Sequence, residues 1–163
     1  MIPIDADTAR LLARRRARFR GFVALLALAY LTAAIPTLLL TPLPPLGLLV
    51  VLAVLVILAE HRFVLFGDET SMSASIIVVV ASAFAFADSA PLAGPLLIGS
   101  LGGFYLPHFR RGSLHKAGIN AMSMGLAAIL SALFGFVVSN TTRSLMESIG
   151  VIALVTAAYW FVN

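Results

Sequence analysis

Long apolar segments, separated only by short stretches rich in proline, glycine or charge, dominate this 163-residue sequence. A helix that crosses a bilayer needs roughly 20 mostly apolar residues. Charged residues make up 11% of the chain, against about 25% in a typical soluble domain. We therefore predict an all-α polytopic membrane bundle of six transmembrane helices. The six segments cover residues 21–40, 46–59, 72–87, 96–106, 118–138 and 149–162.

Two of these segments are short for a full crossing, 46–59 and 96–106, so four or five crossings remain alternatives to six. The β-branched run 76–80 would favour a strand in water. In lipid an open strand leaves backbone groups unpaired, so a helix is expected there as well. The domain prediction is a basic segment at 1–20 followed by a transmembrane domain at 21–163.

The positive charges are distributed unevenly along the chain. With six crossings and a cytoplasmic N-terminus, ten of the eleven Lys and Arg residues fall on the cytoplasmic side, and only Arg143 does not. This is the pattern of the positive-inside rule, and it predicts a bacterial inner-membrane protein with both termini in the cytoplasm. A cluster of arginines lies beside the first segment and includes Arg14, Arg15, Arg16, Arg18 and Arg20. We predict that this cluster sets the membrane topology and anchors the chain to lipid headgroups, rather than binding nucleic acid.

Small residues recur at helical spacing within the apolar segments. Close backbone contact through small residues drives helix association in lipid. We therefore predict that they pack helices within one chain, with a homodimer seam as the alternative. These positions are Ala29 and Ala33 in the first segment, Gly99 and Gly103 in the fourth, and Ser123, Ala127, Ser131 and Gly135 in the fifth.

The sequence holds few groups that could perform chemistry. No charged residue lies near the middle of an apolar segment, cysteine is absent, and we find no catalytic constellation, phosphate-binding loop or metal-ligand spacing. We predict no enzyme activity in these residues, no metal and no cofactor. Asn120 is the most informative polar residue, because Lys116 and Ser123 share its helix face. Its amide would either bond a neighbouring helix or line a ligand site.

The order of several short motifs resembles a known kind of domain. These motifs are Ala59-Glu60, Ser71-Met72-Ser73, Gly94-Pro95, Arg110-Arg111 and Asn120, within residues 42–138. They resemble the N-terminal membrane domain that precedes GGDEF, EAL or HD-GYP domains in actinobacterial signalling proteins. More distantly, they are similar to the six-helix S component of energy-coupling-factor vitamin transporters. The resemblance implies a ligand-binding set of Glu60, Ser71, Ser73 and Asn120, to which Ser123 is added from its shared face with Asn120.

The resemblance implies a sensory or regulatory input domain of a bacterial signalling protein. A cytoplasmic domain that makes or breaks cyclic di-GMP is then expected in a continuation beyond Asn163. The alternative is an S-component-like transporter subunit, which would need an ATPase partner. The expected partners are the lipid bilayer and either the signalling domain or the ATPase, with a second copy of the chain as a further alternative and no nucleic acid.

Overall fold

The computed structural model describes residues 6–61, 63–66, 70–104 and 112–139, and the chain within them is predominantly helical. This confirms the helical class predicted from the sequence. Within these described residues, five helices and one small antiparallel hairpin follow one another. They are α1 (Ala6–Leu40), α2 (Leu46–Glu60), β1 (Phe63–Phe66), β2 (Thr70–Ser73), α3 (Ser75–Ala85), α4 (Ala93–Gly102) and α5 (Leu114–Ser139).

The first helix joins the basic segment to the first apolar segment. α1 has 35 residues and is therefore about 52 Å long, well beyond the roughly 30 Å of a hydrocarbon core. Its Ala, Leu and Arg residues are strong helix formers, which explains the absence of a break at residue 20. Residues 6–20 thus belong to the same continuous helix as the first apolar segment.

Two of the described helices are long and apolar enough to cross a membrane, within Leu11–Leu40 and Leu114–Gly135. The other three, α2, α3 and α4, have 15, 11 and 10 residues. They are shorter than a full crossing requires. In place of the six predicted spans, the described residues therefore contain two helices long enough for a full crossing and three shorter apolar ones. The predicted segment 149–162 lies outside the described residues.

The bounds of the third and fourth segments also need correction. Met72 belongs to β2, which pairs with β1 from Phe63 opposite Ser73 to Phe66 opposite Thr70. The connection between the second and third segments thus contains β1 and the start of β2. Pro95 lies inside α4, which begins at Ala93, before the predicted start of the fourth segment at residue 96. A proline in the first turn of a helix removes no intrahelical hydrogen bond, so it starts α4 instead of ending it.

α4 is the central helix and packs against α2, α3 and α5. A methyl group on Gly99 would lie 2.6 Å from the Ala128 Cβ atom, and one on Gly103 would collide with the backbone nitrogen of Ala121. The two glycines therefore allow the backbones of α4 and α5 to approach closely. In lipid, such close approach supplies the van der Waals contact that holds helices together.

The connection between α3 and α4 is buried at its start. Phe86 is fully buried and packs against Gly94. Its amide donates to the Ser82 carbonyl, and its carbonyl accepts from the Ala90 amide. The connection thus continues the hydrogen bonding of α3 and joins the two short helices into one packed unit.

Several connections between helices lie at the same end of the bundle. α2 ends and α3 begins there on either side of the hairpin, and α4 ends where α5 packs against Gly103. Arg20 of α1 and His115 of α5 line a common cavity at this end. We call it the basic end. From it α1 and α5 run in the same direction, because Ala34 and Ile129, further along each helix, share a small core cluster.

The close contact at Gly103 predicts a large difference between two glycine-to-alanine variants. Gly103→Ala places a methyl group against the backbone of α5 and should lower the free energy of unfolding by about 1–3 kcal/mol. Gly47→Ala in α2 is the matched control, since no atom of the described residues lies within 4 Å of the new methyl group. Unfolding in mixed micelles with increasing sodium dodecyl sulfate measures both. Equal stability of the two variants would contradict the close packing.

Candidate functional site

A groove of about 460 Å³ lies between the middle of α1 and the first half of α5. The α1 wall follows the spacing of one helix face, and so does the α5 wall. The space beside Gly118 is open: among the described residues, no atom lies within 4 Å of the position of a Cβ on this glycine. The groove is lined by Phe19, Arg20, Val23, Ala24, Ala27, His115, Gly118, Ile119 and Met122.

The groove is apolar along its length and carries its polar groups at the basic end. Arg20 and His115 are the lining residues with basic side chains, and both are exposed. From Phe19 to Ala27 the α1 wall extends over eight residue steps, about 12 Å. The walls therefore present hydrocarbon for most of this length and positive charge at one end.

Beyond the groove, a polar contact ties α1 to the central helix. The Tyr30 hydroxyl lies 2.8 Å from the Ser100 Oγ atom of α4 and is hydrogen-bonded to it. A Cβ on Gly125 would lie 2.5 Å from that Oγ and 2.8 Å from the Tyr30 ring. Gly125 thus leaves the space for the junction in which α1, α4 and α5 meet, about one helical turn beyond the last lining residues of the groove, Ala27 and Met122.

The ligand-binding set predicted from the resemblance gathers at the basic end but on separate elements. Glu60 is the last residue of α2 and is 9% exposed. Asn120 is exposed on α5, and Ser123 donates its hydroxyl to the Ile119 carbonyl of its own helix at 3.0 Å. Ser71 and Ser73 lie at alternate positions of β2, whose strand pairing the structure describes. Their assignment to a ligand remains a prediction.

Some of the residues predicted to pack helices together are buried, and others are exposed. Ala127 and Ser131 are buried on α5, and the Ser131 hydroxyl has no hydrogen-bond partner within the described part of the chain. Gly135 and Ala33 are partly buried, whereas Ala29 is exposed. α1 therefore packs through a face that includes Tyr30 and Ala34 rather than through Ala29. The five arginines predicted as lipid anchors are all exposed on α1: Arg14, Arg15, Arg16, Arg18 and Arg20.

The groove and the Tyr30 junction were not predicted as sites. Tyr30 and Ser100 were recognisable as polar residues in apolar segments, but the sequence does not show that they meet 70 positions apart. Gly125 falls outside the four-residue series of small residues on α5. Among the described residues, no group of three or more His, Cys, Asp or Glu side chains could hold a metal ion.

No family model, curated protein or solved structure is significantly similar to this chain.

Removing the Tyr30 hydroxyl should loosen α1. Interhelical hydrogen bonds within membranes contribute about 0.6 kcal/mol on average and up to about 1.7 kcal/mol. Tyr30→Phe should therefore lower the free energy of unfolding by an amount in that range, and Ser100→Ala should add little once the hydroxyl of Tyr30 is gone. A double-mutant cycle in mixed micelles measures this coupling.

Thr32→Val is the control for that cycle, because the Thr32 hydroxyl donates to the Ala29 carbonyl of its own helix. It should show no coupling to Ser100→Ala. A coupling as large as that of Tyr30, or a zero coupling for Tyr30, would contradict the junction.

Proposed function

We propose that this chain is a membrane-embedded sensory or regulatory input domain of a bacterial signalling protein, with the position of α1 against α5 as the quantity that changes. The observation that carries the proposal is the way α1 is attached. It packs through one face near Tyr30, lies beside an open groove, and exposes most of its length. A helix held in this way can take a second position at small cost in packing.

The apolar exterior supports embedding in a bilayer. In the most apolar part of α1, 11% of the residues are buried, against 44% for α5. A continuous apolar exterior of this kind is unfavourable in water and is typical of a surface that contacts lipid or another protein. The exposed large side chains on α1 include Leu25, Leu28, Leu31, Ile35, Leu39 and Leu40.

The distribution of charge supports an orientation with the basic end in the cytoplasm of a bacterial inner membrane. Arginine side chains on α1 and Lys116 on α5 are exposed at this end, and cytoplasmic segments of membrane proteins are enriched in Lys and Arg. The short helices α2, α3 and α4 lie beside the two long ones in a multi-pass arrangement. The hairpin then lies in or near the cytoplasmic headgroup region, where water satisfies its free edges.

A sensor needs two states that a stimulus distinguishes. An apolar ligand or a change in the bilayer would have to bind or solvate the two positions of α1 unequally to shift their populations. Occupation of the groove is one such difference, because an occupant would hold α1 and α5 apart on the cytoplasmic side of the Tyr30 junction and oppose a position in which the groove is closed. The resulting shift would act on a cyclic di-GMP domain in the continuation of the chain.

Single cysteines test the orientation, because the natural chain has none. Ser113→Cys, at the basic end, should react with a membrane-impermeant thiol reagent only after the cells are opened. Asp88→Cys, in the α3–α4 connection, and Pro42→Cys, after α1, should react in intact cells. Labelling of Ser113→Cys in intact cells would overturn the orientation.

Distance measurements test the sensory role. Spin labels at Leu28→Cys on α1 and Leu130→Cys on α5 report the separation of the two helices in vesicles, and both side chains are exposed. The proposal predicts two separations whose ratio changes with bilayer composition. Tyr30→Phe should shift that ratio by about threefold, the factor that corresponds to a ~0.6 kcal/mol interhelical hydrogen bond.

A single separation that is unchanged by Tyr30→Phe and by bilayer composition would contradict the sensory role. The transporter alternative makes a different prediction. A water-soluble ligand should then remain bound at one molecule per chain through purification and be lost on Asn120→Ala.

A further inference from the structure

We infer that the groove between α1 and α5 binds an anionic phospholipid from the leaflet at the basic end. One acyl chain lies between the helices, and the phosphate lies beside Arg20 and His115. The inference rests on the membrane embedding in the proposed function, but it does not depend on the signalling role.

The length of the groove matches the acyl region of one leaflet. The apolar wall extends about 12 Å along α1 from Phe19 to Ala27. One leaflet contributes about 15 Å to the hydrocarbon core. The groove begins where the arginine-rich part of α1 gives way to its apolar part, which is where a headgroup meets its acyl chain.

Charge complementarity selects an anionic headgroup. Arg20 lines the groove, His115 faces it from α5, and Lys116 is the next residue along that helix. A guanidinium group can donate two parallel hydrogen bonds to phosphate oxygens. None of the nine lining residues is acidic. A phosphodiester without a compensating amine therefore fits better than a zwitterionic headgroup.

The apolar lining also bears on the occupant. Ordered water is a poor occupant, because each buried molecule needs two to four polar partners and the walls are apolar along most of their length. A flexible hydrocarbon chain needs no polar partner there.

Filling the groove tests the acyl part of the inference. The purified chain in detergent is mixed with phosphatidylglycerol or with phosphatidylcholine of the same acyl chains, and retained lipid is counted by native mass spectrometry. Gly118→Leu puts a side chain into open groove space and should weaken phosphatidylglycerol binding about tenfold or more. Ala24→Leu fills the groove from the opposite wall and should have the same effect.

Gly21→Leu is the matched control for Gly118→Leu. Gly21 lies at the same end of the bundle with open space around it, but it does not line the groove. The control should bind phosphatidylglycerol as the natural chain does. If neither Gly118→Leu nor Ala24→Leu weakens binding, or if Gly21→Leu weakens it equally, the groove is not the site.

A second pair of variants tests the headgroup part. Arg20→Gln should reduce the preference for phosphatidylglycerol over phosphatidylcholine about fivefold, the factor equivalent to the ~1 kcal/mol that a cation contributes near anionic lipid. Arg18→Gln removes the same charge about 200° around α1 and should leave most of the preference. Equal losses would show that the whole arginine cluster attracts anionic lipid without a defined site.

The two proposals fail in different ways. Glycerol phosphate in solution should not compete with the lipid, and full competition by it would overturn the role of the apolar groove. If the groove variants show no lipid site, while cysteine labelling gives the proposed orientation and spin labels show two positions of α1, only the lipid inference is overturned. A single fixed position of α1 with defined lipid binding would overturn the sensory role alone.

Discussion

The close approach of α4 and α5 is the contact on which the rest of the arrangement depends. In the membrane setting that we propose, burial of apolar surface gives little drive for helix association, and packing and hydrogen bonds supply it. Gly99 and Gly103 bring the two backbones together, and α2 and α3 then pack against the same central helix. Three helices too short to cross a membrane alone are thereby held beside the 26-residue α5.

α1 stands in contrast to this packed centre. Its contact with α4 and α5 is concentrated near Tyr30, and Gly125 provides the space for it. Towards the basic end the two long helices separate and leave an apolar groove with Arg20 at its mouth. Because the two helices are separate there, α1 can change its position, as the sensory role requires, and the groove can hold a lipid.

The sequence predicts the helices that have a simple apolar pattern. α2, with 15 residues, begins at the expected residue after Pro45 and ends one residue later than expected, and α5 contains the predicted fifth segment. The predicted start of α4 was wrong because Pro95 lies in the first turn of the helix. The predicted start of the third segment was wrong because β2 extends to Ser73 and the hydropathy of 72–87 does not distinguish the end of this strand from the helix that follows. The Tyr30–Ser100 contact depends on how helices distant in sequence are oriented, which no local pattern encodes.

The central claim is that the exposed face of α1 is in contact with hydrocarbon, and spin-label accessibility tests it most directly. Leu31 is 49% exposed, and the next residues of α1 that pack against the bundle are Ala33 and Ala34. In vesicles, a label at Leu31→Cys should collide readily with molecular oxygen, which concentrates in lipid, and rarely with a water-soluble nickel chelate. Ready collision with the nickel chelate would place this face in water. Poor collision with both reagents would place it against protein, and either result would contradict the account.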